Sequence, residues 1–233
     1  MVNLPLPPRE MRWGGPRYLD DANYIKSGIQ NAQMLESICG IGPDSRILDV
    51  GCGQARLLRG LLSYFGSIQR YVGIDVHEPS IRWLQSNIAP LTPFAEFYHV
   101  PFQNARYNPH GTRTLDFGIP EKFDCIVLIS VFSHMHLADI TLYLDFINKA
   151  VANDGKVYLT LFVEDDVAEE EENPDGYYKK WSGALHCVRL NRQEFERRIR
   201  QSGFQVELFR YRNANDGQSS YLLGLKDDDF IPS

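Results

Sequence analysis

The sequence contains no Cys-x-x-Cys pair, no run of 18 apolar residues, no Gly-Lys-Ser/Thr phosphate loop and no excess of positive charge. Each absence removes a class of function. Cys39, Cys52, Cys125 and Cys187 stand singly, the pattern of reduced thiols, and Cys125 lies in an apolar run where a thiol acts as a small hydrophobe. Without a long apolar run, no membrane-spanning helix is expected. The opening Met1-Val2-Asn3-Leu4-Pro5-Leu6-Pro7-Pro8 lacks the basic-then-apolar order of a signal segment, so a cytoplasmic location is expected. A net charge of −6 argues against a nucleic-acid substrate, because such binding neutralises many phosphates with Lys and Arg.

What is present is an alternation of strands and helices. At 233 residues with 43% hydrophobic content, the chain suits one α/β domain with room for an insertion. Residues 1 to about 20, rich in Pro, Gly and Arg, read as an extended arm. Ile25, Ile29, Ala32, Leu35 and Ile38 recur at helical spacing until Gly40 and Gly42-Pro43 stop the helix. Strands follow at 46–50, 71–76, 94–100, 123–130 and 156–162, with helices at 57–64, 79–88 and 139–152 and a turn at Asn153-Asp154-Gly155. The order dictates a parallel sheet with right-handed crossovers. A helix starting at the capping box Asn191-Arg192-Gln193-Glu194, then apolar runs at 204–211 and 219–225 flanking Asn215-Asp216-Gly217, add an antiparallel hairpin.

The segment Arg46-Ile47-Leu48-Asp49-Val50-Gly51-Cys52-Gly53-Gln54-Ala55-Arg56 is an apolar strand entering a small-residue turn before the Leu57-Leu58 helix. Gly51 and Gly53 let the backbone approach a ligand closely. The next strand, Tyr71-Val72-Gly73-Ile74, ends in Asp75, a carboxylate suited to a ribose diol. Each half alone reads equally as a tight turn and a solvated strand end; jointly they point to a nucleoside site. A dinucleotide fingerprint would have glycine where Arg56 stands.

The spacing Asp49-x-Gly51-x-Gly53 followed by Asp75 resembles the first two motifs of the class I S-adenosylmethionine-dependent methyltransferases. Ser130-Val131-Phe132-Ser133-His134-Met135 is similar to a Ser-Val-Phe-Thr-His-Met signature of a bacterial branch, and Asn104-Ala105-Arg106-Tyr107-Asn108-Pro109 resembles that branch's loop after the third strand. The resemblance covers most of the chain and implies a Rossmann-like, seven-stranded, mostly parallel sheet with an antiparallel C-terminal hairpin and helices on both faces. On that pattern, 1–43 is an arm and helix covering the site, 44–162 the cofactor-binding core, 163–190 an insertion or lid, and 191–226 the closing helix and hairpin.

The resemblance also implies roles. S-adenosyl-L-methionine would be the donor and S-adenosyl-L-homocysteine the product. Gly51, Cys52 and Gly53 would lie along the methionine and ribose, and Asp49 near the methionine amine. Asp75 would hold the ribose hydroxyls and Val76 would pack on the adenine. Phe102 and Gln103 would form the other adenine wall, and Ser130 would offer its backbone carbonyl near the donor. Pro101 stands where relatives often place an acidic residue for the adenine amino group, which leaves that contact to Gln103, Asn104 or shape.

Methyl transfer from a sulfonium needs alignment more than a nucleophilic side chain. A hydroxyl acceptor must also lose a proton, and His134 and His136, past the carboxyl end of the fourth strand, are the candidate bases. A backbone-bonded histidine at a helix start is the other reading of His134. A metal at His134-x-His136 with Asp139 lacks a third ligand at diagnostic spacing, and none is expected. The acidic run within 163–175 reads as a solvated, mobile loop, with a lid as the functional alternative. In that alternative Tyr178 and Trp181 contact the acceptor. Trp13, Tyr18 and Tyr24 are further cover candidates, with packing as their alternative role, and Asp227-Asp228-Asp229 reads as a solvated end. The expectation is a methyltransferase acting on a hydroxyl of a small metabolite or glycan, with no nucleic-acid or membrane partner. The rival readings are a non-catalytic protein that binds the same nucleosides and a nicotinamide-dependent oxidoreductase.

Overall fold

The computed structural model describes residues 4–115, 118, 121–214 and 216–226; the Asp227–Asp229 end and Asn215 of the hairpin turn lie outside them. The chain forms two compact units, 1–117 and 118–233.

In the first unit, helix α1 (Asp21–Cys39) begins where the Asp20 carboxylate accepts the Asn23 amide at 2.8 Å, and ends at Gly40 in the left-handed conformation. An N-cap oxygen satisfies an otherwise orphaned amide, and glycine makes the reversal without a Cβ clash. Strands β1 (Arg46–Val50), β2 (Arg70–Asp75) and β3 (Ala95–His99) pair in parallel with β2 central. Helices α2 (Arg56–Phe65) and α3 (Glu78–Asn87) make the crossovers; α2 buries Leu57, Leu58, Leu61 and Leu62. The amino-terminal arm is less uniform than its composition suggests, since Arg9–Met11 and Pro16–Leu19 form short 3-10 turns. Buried guanidinium groups tie it down. Arg12 donates to the carbonyls of Pro7 and Tyr18 and to Asp21, and Arg59 to those of Leu4 and Pro5.

In the second unit, β4 (Phe123–Leu128) pairs in parallel with β5 (Val151–Glu164), and β5 follows helix α4 (Leu137–Ala150) directly. The turn expected at 153–155 is instead a register shift in a continuous strand. Phe123 faces Val151 while Cys125 faces Lys156, and the surplus residues bulge out, with Gly155 tight against the Phe123 carbonyl. Helix α5 (Arg192–Gln201) starts at Asn191, whose side chain accepts the Glu194 amide at 3.0 Å. Strands β8 (Phe204–Arg210) and β9 (Ser219–Leu225) form the antiparallel hairpin, and β9 pairs antiparallel with β5.

The strand count is nine rather than seven among the described residues. The two extra strands lie in the acidic insertion, where β6 (Glu170–Glu172) pairs antiparallel with β7 (Val188–Asn191), and β7 continues in parallel on the tip of β5. The expected solvated loop is therefore partly a ladder. Arg189 neutralises Glu171 across it, offsetting the local repulsion that the sequence alone suggests. No described helix is long and apolar enough to cross a membrane.

Candidate functional site

The turn after β1 is built on positive φ. Gly51, Gly53 and Ala55 take φ of 75°, 53° and 53°, and the Gly51 and Cys52 amides both donate to the Ile74 carbonyl at 2.8 and 3.0 Å. Those bonds lash the turn to the end of β2. The Gly53 amide then donates to Asp75 Oδ2 and the His77 amide to Asp75 Oδ1, each at 2.8 Å. A carboxylate has four lone-pair directions, so each oxygen keeps acceptor capacity for a diol. Burial raises the Asp75 carboxyl above its ordinary range, while the His77 and Gly53 amides pull it back. A Cβ built on Gly53 meets nothing within 4 Å, so the turn presents bare backbone to an open face.

Cys52 points the other way. Its Sγ fills the space above Gly73, where a Cβ would fall 2.9 Å from the sulfur, and burial pushes the thiol up, which marks it as a packing residue. Asp49, 6% exposed, accepts the Tyr71 hydroxyl at 2.5 Å. Burial moves this carboxyl up to about 7, against the Tyr71 hydrogen bond and with a further push from the Asp75 charge. It therefore sits near the midpoint of its titration at neutral pH.

The loop after β3 folds on itself. Asn104 and Asn108 exchange backbone hydrogen bonds, and Asn104 Oδ1 accepts from the amides of Arg106 and Tyr107. Gln103 is held by its amide to the Thr112 carbonyl and by its side chain to the Pro109 carbonyl. Phe102 is enclosed, 1% exposed, and Val76 is partly exposed beyond the tip of β2. Tyr24 is 1% exposed and its hydroxyl has no hydrogen-bond partner. Its ring lies 5.0 Å from the Arg12 guanidinium, and burial lifts the phenol to about 12.

In the second unit, Ser130 follows β4 with φ of 58°, uncommon for a residue with a Cβ. His134 sits in the short turn that follows, and its Nδ1 lies 2.9 Å from the Leu185 carbonyl. A carbonyl only accepts, so Nδ1 carries a proton, and in the neutral ring the lone pair then falls on Nε2. His136 is engaged differently: its Nδ1 is 2.8 Å from Glu170 Oε1, while Glu170 Oε2 accepts the Leu137 amide and so caps α4. Tyr178 is 47% exposed with φ of 56°, and Trp181 is anchored by its indole N–H to the Tyr177 carbonyl at 2.6 Å. Both rings belong to a cluster with Phe162 and Tyr177.

A family model described as a methyltransferase domain matches residues 26–208, well over half of the sequence. The chain belongs to the methyltransferase domain family. Its fold recurs in solved methyltransferases at low identity. It is similar to the glycopeptide N-methyltransferase MtfA complexed with S-adenosyl-L-methionine, at 14% identity over 85% of this chain and 94% of that one, with a TM-score of 0.56. Magnesium protoporphyrin IX methyltransferase (ChlM) from Synechocystis PCC 6803 with bound SAM matches at 11% identity over 94% and 88%, with a TM-score of 0.58. The 1,6-didemethyltoxoflavin-N1-methyltransferase of Burkholderia thailandensis, with bound 1,6-didemethyltoxoflavin and S-adenosylhomocysteine, matches at 16% over 89% and 80%, with a TM-score of 0.56.

The structure of this methyltransferase thus brings Asp49, Gly51, Cys52, Gly53 and Asp75 together around one turn. Sequence reasoning missed Tyr71, the partner of Asp49, and His77, whose amide holds Asp75. It also missed the packing of Trp13 edge-on against His77 and tilted against Tyr107, at centroid distances of 4.8 and 4.4 Å. Tyr71 heads an apolar strand and reads as core. The position of His77, two residues beyond Asp75, was its only signal.

Proposed function

We propose that this methyltransferase transfers the methyl group of S-adenosyl-L-methionine to a hydroxyl of a small metabolite or glycan. One observation carries the reading: Asp75 is fixed by the Gly53 and His77 amides beside an open, side-chain-free stretch of backbone. That arrangement suits a nucleoside whose ribose hydroxyls donate to a carboxylate and whose chain needs room where a Cβ would stand. Crystals of the similar MtfA and ChlM hold S-adenosylmethionine, which supports the same donor here.

The donor supplies a methyl group already activated on a sulfonium. Gly51 and Gly53 admit its methionine and ribose portions, and Cys52 backs the turn from the core side. Asp75 accepts from the ribose diol. Val76 and Gln103 flank the adenine, with Phe102 packed behind. Asp49 supplies negative charge for the methionine amine. The protein's own contribution is alignment, with Tyr24 of α1 excluding water from the donor; Tyr178 and Trp181 of the insertion are the candidate acceptor contacts. His134, held through Nδ1 by the Leu185 carbonyl, takes the proton that the acceptor hydroxyl loses. His136 is the second candidate, already engaged through Nδ1 by Glu170.

Calorimetry with S-adenosylmethionine, S-adenosylhomocysteine and NAD tests the donor assignment. Micromolar binding of the first two, roughly −8 kcal/mol, and none of the third is expected. An Asp75→Ala variant that bound them like the wild type would refute the ribose contact. Screening metabolite pools for methyl transfer from a labelled donor would name the acceptor and separate an enzyme from a nucleoside-binding protein.

A further inference from the structure

The two amides that grip Asp75 are also joined by a second route that bypasses the carboxylate. Gln54 follows Gly53, and its Nε2 donates to Ser80 Oγ at 2.8 Å. His77 carries the other amide, and its Nδ1 lies 2.7 Å from the same hydroxyl. Ser80 stands in the first turn of α3, its own amide donating to the His77 carbonyl at 3.1 Å. The circuit from Asp75 through Gly53, Gln54, Ser80 and His77 back to Asp75 is therefore closed, and every member lies in the first unit. A hydroxyl both donates and accepts, so the Ser80 oxygen serves the glutamine N–H together with either neutral form of the imidazole.

Ser80 is 0% exposed and Gln54 5%, so removing the hydroxyl strands the Gln54 N–H away from water. Gln54 sits between Gly53 and Ala55, both with φ of 53°. A Cβ disfavours positive φ, and such a conformation persists at Ala55 only where its surroundings over-determine it. The buried anchor of the preceding side chain is one such constraint. His77 is the N-cap of α3 yet gives that helix no side-chain cap; its ring nitrogen goes to Ser80 instead.

We infer that Ser80 is a positioning residue for the ribose of the donor: its hydroxyl fixes Gln54 against His77 and so sets the spacing of the two amides that aim Asp75. This rests on the assignment of Asp75 to the ribose made above. A carboxylate held at each oxygen by a different amide is not free to turn about its Cβ–Cγ bond, so its remaining lone pairs present a fixed pair of acceptors to a diol. Slackening either amide lets it turn. Contacts to the adenine and the methionine do not run through Asp75, so the effect of Ser80 falls on the ribose hydroxyls.

The test is calorimetric binding of S-adenosylhomocysteine and of its 2′,3′-dideoxy analogue, which lacks both ribose hydroxyls, to the wild type, Ser80→Ala and Gln54→Leu. Each variant should weaken S-adenosylhomocysteine binding about tenfold and binding of the analogue less than about twofold. A variant that merely loosened the fold would lower both together. Gln54→Leu carries the test if Ser80→Ala does not fold. Unchanged S-adenosylhomocysteine binding in a folded variant, or equal weakening of both compounds, would overturn the inference. A wild type that binds neither compound would instead sink the donor reading, and one that binds both equally would sink the ribose contact of Asp75, in each case with this inference.

Discussion

Gly28 of α1 and Gly60 of α2 pack backbone against backbone. A Cβ on Gly60 would overlap the Gly28 carbonyl, and one on Gly28 would fall 2.5 Å from the Arg56 carbonyl. The two helices meet at this point because neither carries a side chain there. Tyr24 lies one turn before Gly28, so the contact also sets the depth at which its unpartnered hydroxyl is buried.

Gly60→Ala separates two opposed effects. Helix propensity alone favours alanine by about 1 kcal/mol. Overpacking against rigid backbone costs about 1–3 kcal/mol and cannot be relieved by a rotamer change. A net loss of roughly 1–2 kcal/mol is expected in chemical denaturation, with the shift in midpoint as readout. A stabilised variant would show that the helices part freely.

Asp49 gives a pH dependence with a definite sign. Its carboxyl titrates near 3.8 in an unfolded chain and near 7 when folded. Between those values the folded protein retains a proton that the unfolded chain has lost, so stability falls as pH rises through this window and levels off above about 7. Asp49→Asn still accepts from Tyr71 and removes the titration. Its stability relative to wild type should climb between about pH 4 and pH 7, by at most roughly 4 kcal/mol. Parallel wild-type and variant curves would rule this out. If the methionine amine lies against Asp49, wild-type donor affinity should strengthen with pH over the same range, and the variant should lose that slope.

His134 is tested by its proton. With an accepted hydroxyl substrate, His134→Ala should lower turnover about 10²–10⁴-fold and flatten the acid limb of the pH profile, leaving donor affinity near wild type. Full turnover across pH would return His134 to the role of a backbone-bonded turn residue, fastened to Leu185.

Much of this was readable in the sequence, and the misses have physical causes. The glycine turn, Asp75, the capped helix at Asn191 and the closing hairpin depend on local chemistry within a few residues, which a linear sequence displays. The β6–β7 ladder was not visible because four consecutive glutamates, Glu169 to Glu172, disfavour a strand until Arg189, 18 residues from Glu171, lies across from them. The Tyr71–Asp49 and Gln54–Ser80 bonds were equally hidden, since they join residues 22 and 26 apart whose adjacency only the fold creates. Ser80 in particular, a single serine at the start of a helix, carries no sequence signal at all.

Glu164, at the tip of β5, holds the insertion's aromatic cluster together and offers the last prediction. Its carboxylate accepts from the hydroxyls of Tyr177 and Tyr211 at 2.8 and 2.6 Å and from Arg212 Nε at 3.0 Å. Burial alone would raise this carboxyl, but the Tyr211, Arg212 and Tyr177 bonds outweigh it and hold it below its ordinary value. Its stabilisation is therefore complete above the unfolded value of 4.5 and is lost as pH falls through the lower folded one. Glu164→Gln removes the charge and replaces one acceptor oxygen with a donor, so at neutral pH it should cost roughly 2–3 kcal/mol, and progressively less in acid. Arg212 lies 5.0 Å from the Tyr178 ring, and that ring covers Gly217, so the loss should spread to Tyr178 and the turn beneath it. Faster proteolysis within 173–186 in the variant, at a pH where the wild type resists, is the expected result. An unchanged cleavage rate would mean that the insertion is held by its apolar contacts alone.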